Sequence, residues 1–184
     1  MSQQTLGSDL AAGTKKYNTP LEWVVPISEA VGGFDADVCA SSDSNLATVN
    51  VRNTGGLSKP WTEYVADLVD DPSDAWIWCN HPYARGEPPE WLSRAATTPC
   101  NVVALSKAAP DTEWFWDHVL DADLLSFPNT ASERGDSRIK FAGEKNGADF
   151  PNVFSVYTGG DVPDELARVL GRWGWTLDPS EVEK

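Results

Sequence analysis

Four consecutive residues, Asn80, His81, Pro82 and Tyr83, follow an apolar segment and could grip a planar base that carries an exocyclic amine. The Asn80 side-chain oxygen and the His81 backbone carbonyl could each accept one hydrogen of that amine. Pro82 would keep the turn rigid, and Tyr83 would stack on the ring. The sequence therefore predicts a binding site at this turn, with a purely structural turn as the alternative.

Such a site could also promote methyl transfer to an adenine amine. The adenine amino nitrogen is a poor nucleophile, because its lone pair is delocalised into the ring. Two acceptors on its hydrogens would favour a pyramidal nitrogen, whose lone pair could attack a sulfonium methyl group in line. Orientation and fixed dipoles would supply most of the acceleration. A base within a duplex would first have to be flipped out of the stack.

The segments around this turn alternate between short apolar strands and helices. The predicted strands cover residues 34–38, 75–79, 101–105, 124–127, 138–141 and 153–157, with the last two as an antiparallel pair. The predicted helices cover residues 21–31, 43–47, 88–98, 113–119 and 161–173, and a polar loop covers 128–137. This alternation predicts a three-layer α/β domain with a mostly parallel sheet. Ligands of such sheets bind beyond the carboxyl ends of strands, where Asp37 and Asn80 both occur.

Length and composition favour one domain. The chain has 184 residues, of which 41% are hydrophobic, and this excludes a wholly disordered protein. We interpret residues 1–16 as a flexible arm without a secretory signal, 17–175 as the domain and 176–184 as a polar tail. No apolar run approaches the roughly 20 residues that span a bilayer, so no membrane partner is expected. The three cysteines form no CxxC pair, which fits a reducing cytoplasm.

The chain is strongly acidic, with 28 Asp and Glu against 14 Lys and Arg and a net charge of -14. The acids are dispersed, which is typical of a halophilic surface, although a DNA mimic and an ordinary acidic domain remain alternatives. Contacts to DNA phosphates normally need Lys and Arg. At molar salt the Debye length falls to about 3 Å, so only the charge at the contact face would then matter.

Several short blocks, taken in order, resemble the phage-type DNA N6-adenine methyltransferases. The blocks are Asn18-Thr19-Pro20, residues 34–41 with Asn45, Gly56-Leu57 before Trp61, residues 78–83 with Trp91, residues 102–105 with 111–115, and residues 138–141. Together they run from Tyr17 to Tyr157, most of the chain. The order and spacing of the blocks carry the resemblance, since each block alone is weak.

The resemblance implies a Rossmann-like methyltransferase fold, S-adenosylmethionine as methyl donor and a flipped adenine in double-stranded DNA as acceptor. It implies that the catalytic residues are Asn80, His81, Pro82 and Tyr83. By the same resemblance, the cofactor pocket is lined by Thr19, Pro20, Asp37, Cys39 and Ala40. A helix cap is the alternative interpretation of Thr19-Pro20, and a polar strand end is that of Asp37.

This chain departs from the family pattern at three places. Position 81 is His where the family usually has Pro, and Gly55 stands where an acid is frequent. After Leu105 the family tends to carry Pro and Arg, whereas this chain carries Ser106 and Lys107, and Lys107 could replace the positive charge. These departures leave open a catalytically degenerate DNA-binding protein on the same fold, or an acidic DNA mimic. RNA adenines and glutamine side chains are alternative acceptors.

Few cations occur near the predicted pocket. The candidate DNA-binding residues are Arg85, Arg134, Arg138 and Lys140, with a solvated surface charge as the alternative for each. Sequence readout is expected from short insertions at residues 52–74 and 128–137. The two histidines, His81 and His118, lack metal-ligand spacing, so no metal site is predicted.

Overall fold

The computed structural model describes residues 18–52, 55–83, 86–129, 138–142 and 144–181. The strands within these ranges are β1 Phe34–Ala40, β2 Ala47–Arg52, β3 Trp76–Cys79, β4 Asn101–Lys107, β5 Leu124–Pro128, β6 Asn152–Tyr157 and β7 Gly174–Leu177. They form one sheet in the order β2-β1-β3-β4-β6-β5-β7. The predicted arm, residues 1–16, lies outside the described residues.

The helices are α1 Leu21–Ala30, α2 Thr62–Val65, α3 Pro88–Thr97, α4 Glu113–His118 and α5 Asp164–Gly171, with short 3-10 turns between several elements. They cover both faces of the sheet. Helices α1 and α5 pack on one face, and α2, α3 and α4 pack on the other. Because side chains alternate along a strand, Val102 and Val103 of β4 point into different cores. The predicted three-layer α/β arrangement is therefore confirmed.

The sheet is mixed rather than mostly parallel. Strands β2, β1, β3 and β4 are parallel, whereas β6 runs antiparallel to both β4 and β5, and β7 runs antiparallel to β5. Strand β6 is buried along its whole length, as a strand between two covered faces must be. The parallel half of the sheet carries the residues singled out in the sequence.

Two predicted elements are wrong, and two strands were not predicted. The helix expected at residues 43–47 is a loop that leads into β2, whose β-branched residues favour a strand. The strand expected at 138–141 is an irregular segment that buries Ile139 and Phe141 in alternation, which imitates strand patterning. The last two residues of β7, Thr176 and Leu177, pair with β5, although the sequence indicates a polar tail there.

The connections that follow β1 and β3 run toward opposite sides of the sheet, to β2 and to β4. Strand β1 pairs with β2 on one side and with β3 on the other, so the carboxyl ends of β1 and β3 form a topological switch point. The β1–β2 connection, residues 41–46, is shorter than the dozen or so residues usual for parallel strands. It therefore returns close to β1 and brings Ser44 to Asp37.

Among the described residues, no helix is both long enough and apolar enough to cross a bilayer.

Candidate functional site

The carboxyl ends of β1 and β3 bring the predicted site residues to one edge of the sheet. Asp37 pairs in register with Trp78, and Asn80 follows β3 directly. Asp37 is only 4% exposed, whereas Asn80 is half-buried. The switch point, where open α/β sheets bind ligands, is thus lined by a carboxylate on one strand and an amide on the next.

Asn80 lies at the centre of a hydrogen-bond network. Its Nδ2 donates to the Thr19 hydroxyl at 2.9 Å, which joins the segment before α1 to the end of β3. Its Oδ1 accepts from the Tyr83 hydroxyl at 2.8 Å. The side chain is therefore held at both its nitrogen and its oxygen, by the two hydroxyls.

Thr19 does not cap α1, contrary to the alternative interpretation of this residue. The helix begins after Pro20, and its first turn is closed by the Pro20 carbonyl, which accepts from the amides of Trp23 and Val24 at 3.0 and 3.3 Å. No side chain caps this helix start. The Thr19 hydroxyl is instead directed at Asn80, so the first sequence block contacts the catalytic candidate.

The Tyr83 ring is buried, with 7% of the residue exposed. Its centroid lies 5.1 Å from that of Phe150 and 6.0 Å from that of Phe141. Lys107 Nζ donates to the Tyr83 carbonyl at 3.2 Å and lies 4.6 Å from the Phe150 centroid. The ring expected to stack on a base is packed here within an aromatic cluster, which the sequence pattern did not indicate.

His81 is the most buried residue of the motif, at 1% exposure. Its Nδ1 lies 2.8 Å from the Pro82 carbonyl oxygen, and because that oxygen can only accept, Nδ1 carries the proton. Nε2 is then an acceptor, and it has no hydrogen-bond partner among the described residues. Burial lowers the pKa of His81 to about 4, so the ring is neutral at pH 7.

The Asp37 carboxylate accepts from the Cys39 amide and the Ser44 hydroxyl, both at 3.1 Å. Burial raises its pKa to about 6, and the two hydrogen bonds oppose this rise by stabilising the charged form. Burial also raises the pKa of the Cys39 thiol, which contacts Cys79 on the next strand. Cys39 is therefore a protonated thiol at pH 7 and not an activated nucleophile.

The remaining cofactor candidates line the same edge. Pro20 is half-buried at the start of α1, and Pro82 is half-buried in the turn after β3. Cys39 is half-buried and Ala40 is buried at the end of β1. The predicted cofactor residues of β1 and of the segment before α1 therefore lie on the same side of the switch point as Asn80.

Two of the four predicted DNA-binding cations can be placed. Arg138 and Lys140 are exposed on the segment that contributes Phe141 to the Tyr83 cluster. Arg138 Nη1 donates to the Ala148 carbonyl at 3.1 Å, which holds the guanidinium against its own loop. Arg85 and Arg134 lie outside the described residues.

The sequence block with Gly56-Leu57 before Trp61 is explained by packing in the core. A Cβ at Gly56 would lie 2.0 Å from the Val38 carbonyl oxygen and 2.9 Å from the Trp91 ring. Trp61 Nε1 donates to the Gly56 carbonyl at 2.8 Å. Gly56, Trp61 and Trp91 therefore hold the 55–57 turn against β1, and they lie in a core rather than in the site.

Three residues of the site were not predicted from the sequence. Ser44 carried no distinguishing signal, because one hydroxyl among several small polar residues is uninformative. Phe141 alternates with Ile139 and Phe150 follows a polar segment, and such patterns indicate burial but not the partner. Within the described ranges, no cluster of three or more His, Cys, Asp or Glu could hold a metal ion.

No protein-family model, no curated protein and no solved structure matches this chain.

Proposed function

We propose that this protein transfers a methyl group from S-adenosylmethionine to the N6 amine of adenine in DNA, with the Asn80–Tyr83 turn as the acceptor site. The observation that carries this proposal is the Thr19–Asn80–Tyr83 network at the switch point beside Asp37. It joins Thr19, which the resemblance assigns to the cofactor pocket, to Asn80, which it assigns to the acceptor site, although the two are 61 residues apart.

Asn80 would act as an orienting acceptor. Its amide nitrogen donates to Thr19 and its oxygen accepts from Tyr83, so both ends of the amide are held in place. A carbonyl oxygen has two lone pairs, and the adenine amine would need one of them beside the Tyr83 bond. A prepositioned acceptor of this kind lowers the barrier without reorganising during the reaction. His81, which is neutral at pH 7, adds no charge that would repel the positive sulfonium.

The residues at the end of β1 suit a cofactor with polar and cationic groups. S-adenosylmethionine, when bound, supplies an electrophilic methyl group on a sulfonium. Asp37 offers a buried carboxylate with a pKa of about 6, which is mainly ionised at pH 7. A cation or a hydroxyl placed against it would favour the ionised form further. Ala40, at the end of β1, has a small and buried side chain.

DNA binding would depend on local cations, because the whole chain carries a net charge of -14. Arg138 and Lys140 are exposed beside Phe141, which contacts Tyr83, so they lie near the proposed acceptor site. Salt weakens phosphate contacts, but it also screens the repulsion between the acidic surface and DNA. Activity is therefore proposed to need enough salt to screen the surface.

A second candidate is a catalytically degenerate DNA-binding protein on the same fold, or an acidic DNA mimic. The burial of Tyr83 favours it, because the ring that would stack on a flipped base contacts Phe141 and Phe150 instead. In this alternative the Asn80 network only stabilises the turn after β3. The dispersed acidic residues would then provide the surface that proteins of DNA metabolism recognise.

Tritium transfer from labelled S-adenosylmethionine to unmethylated DNA tests the proposal across a range from low to molar salt. We expect transfer by the wild-type protein and its loss in Asn80→Ala. Asn101→Ala is the matched control, since Asn101 Nδ2 also donates one hydrogen bond, to the Ser73 carbonyl at the opposite edge of the sheet. If the wild-type protein transfers no tritium at any salt concentration, the proposed methyltransferase activity is contradicted. Absence of calorimetric heat with S-adenosylmethionine would then favour the degenerate protein or mimic.

A further inference from the structure

A groove of about 410 Å³ lies where the loop before α2 meets the end of α3. Its polar lining residues are Ser58, Lys59, Thr62, Arg94, Thr97 and Thr98, and we call this surface the basic groove. The other four lining residues are Leu57, Pro60, Trp61 and Pro99. The volume falls within the roughly 300–1,000 Å³ typical of small-molecule sites.

The basic groove is positive on a protein that is otherwise strongly negative. Lys59 and Arg94 line it, and none of its lining residues is Asp or Glu. Lys59 Nζ forms an exposed ion pair with Glu63 Oε2 at 4.0 Å, although Glu63 does not line the groove. On a chain with a net charge of -14, a lining that includes Lys59 and Arg94 and no carboxylate favours an anionic ligand.

Both cations are held in place by the protein. Arg94 Nη1 donates to the Lys59 carbonyl at 2.9 Å, so the guanidinium is tied to the residue that carries the second cation. Lys59 Nζ donates to the Glu63 carbonyl at 3.2 Å and lies 4.4 Å from the centroid of the Tyr64 ring. A guanidinium has five N–H donors, so one hydrogen bond fixes its orientation and leaves its other donors for a ligand. This prepositioning reduces the entropic cost of binding an anion.

We propose that the basic groove binds a phosphate group, either of a free phosphate compound or of a nucleic-acid backbone. Its candidate donors come from three segments: the 58–59 loop, Arg94 in the last turns of α3, and Thr98 after that helix; the Thr97 hydroxyl already donates to the Ser93 carbonyl. Donors that converge from several directions suit the tetrahedral oxygens of phosphate better than a planar carboxylate. The Arg fork binds such oxygens in pairs, and Lys adds a point charge.

This site is separate from the Asn80 turn and does not depend on the proposed function. Pro99 lies just before β4 begins, whereas Lys107, which contacts Tyr83, ends that strand. At about 3.3 Å per residue, the length of β4 puts roughly 20 Å between the two edges of the sheet. The two sites can therefore be tested by separate substitutions.

Titration calorimetry at low salt tests the groove with inorganic phosphate, a nucleoside monophosphate and, as the uncharged control, the matching nucleoside. We expect heat from the two phosphate compounds and none from the nucleoside. Arg94→Gln should weaken binding about tenfold or more, since hydrogen bonds between charged groups are lost. Lys59→Gln provides a second variant, and unchanged circular dichroism checks that each variant folds. Arg168→Gln is the control, because Arg168 pairs with Glu165 on α5, across the sheet.

Fluorescence anisotropy with a DNA duplex distinguishes the two sources of phosphate. If the backbone occupies the groove, Arg94→Gln reduces duplex binding and lowers the slope of log affinity against log salt by about one. If a free phosphate compound is the ligand, calorimetry responds to Arg94→Gln while duplex binding does not. The proposal is overturned if none of these probes binds, or if both groove variants bind them like Arg168→Gln.

Discussion

The Tyr83 hydroxyl lies 2.8 Å from the Asn80 side-chain oxygen and 3.2 Å from the Leu105 carbonyl oxygen. Its single hydrogen therefore links the turn after β3 to the neighbouring strand β4. Because the ring is packed against Phe141 and Phe150, the hydroxyl can move little, and it directs the Asn80 amide. In this structure Tyr83 is a positioning residue for Asn80.

Tyr83→Phe removes that hydroxyl and keeps the ring. We expect the free energy of unfolding to fall by about 1–2 kcal/mol, because two acceptors lose a shared donor. Methyl transfer should fall more than about tenfold, since Asn80 loses its fixed direction. Urea denaturation and the tritium assay measure the two effects.

Tyr157→Phe is the matched control for this change. Tyr157 is also buried, and its hydroxyl donates to the His118 carbonyl at 3.0 Å, away from the Asn80 turn. It should lose similar stability and keep full methyl transfer. Equal losses of transfer in both variants would show that Tyr83 acts only through stability.

His81→Phe should remove a source of acid sensitivity. The folded state disfavours the imidazolium, since burial lowers the pKa of His81 to about 4, whereas the unfolded chain takes up the proton near pH 6.5. Stability is therefore lost as pH falls from 6.5 through 4. Between pH 7 and pH 4, the stability of wild type should therefore fall by roughly 3 kcal/mol relative to that of the Phe variant. Urea denaturation at several pH values measures this difference, and parallel curves for the two proteins would contradict it.

Asp37→Asn should act with the opposite sign. The folded state keeps the Asp37 proton up to a pKa of about 6, whereas the unfolded chain releases it near 3.8. The contribution of Asp37 is therefore largest below 3.8 and is lost as pH rises through 6. The amide of the variant cannot ionise, so the variant should gain roughly 2–3 kcal/mol over wild type between pH 4 and pH 8. Urea denaturation at these two pH values measures the gain.

The two effects overlap between about pH 4 and pH 6, where they oppose each other. In wild type, the contributions of these two residues to the free energy of unfolding should therefore nearly cancel as the pH changes across this range. Each single substitution should reveal the pH dependence of the residue that remains. On acidification, stability should fall in Asp37→Asn, which keeps His81, and rise in His81→Phe, which keeps Asp37. Thermal denaturation over the same pH range provides a second measurement, and a steep wild-type curve matched by both variants would exclude this balance.

Gly56→Ala should destabilise the protein strongly. The added Cβ would lie 2.0 Å from the Val38 carbonyl oxygen, so β1 or the 55–57 turn would have to move. Overpacking of this kind costs about 1–3 kcal/mol or more. Gly171→Ala is the control, because nothing lies within 4 Å of its Cβ position at the end of α5, and Ala favours helix. Thermal denaturation should show opposite shifts in the two variants.

Much of the fold follows from local patterns in the sequence. Helices α1, α3 and α4 and strands β1, β3, β4, β5 and β6 were predicted within a few residues of their observed bounds. Their signals are apolar runs, Pro near a helix start and Gly after a helix end, which act through neighbouring residues. The pattern at 138–141 failed, because alternate burial of Ile139 and Phe141 also occurs in a loop that crosses a core.

The order of the strands could not be obtained in this way. Strand β6 lies between β4 and β5 and runs antiparallel to both, although β5 directly precedes it among the strands. Strand β7 is short and pairs at an edge, so little in its four residues distinguishes it from a tail. Pairing of this kind is decided by which apolar faces meet.

The residue types at the site were determined by the sequence alone: an amide, a histidine, a proline and a tyrosine after an apolar strand, with an acid at the end of another. Only the tertiary structure decided that the Thr19 hydroxyl accepts a hydrogen bond from Asn80 instead of capping α1, and that the Tyr83 ring faces phenylalanines. The physical reason is that hydrogen bonds and burial between distant segments depend on the packing of the whole sheet, which no local pattern encodes.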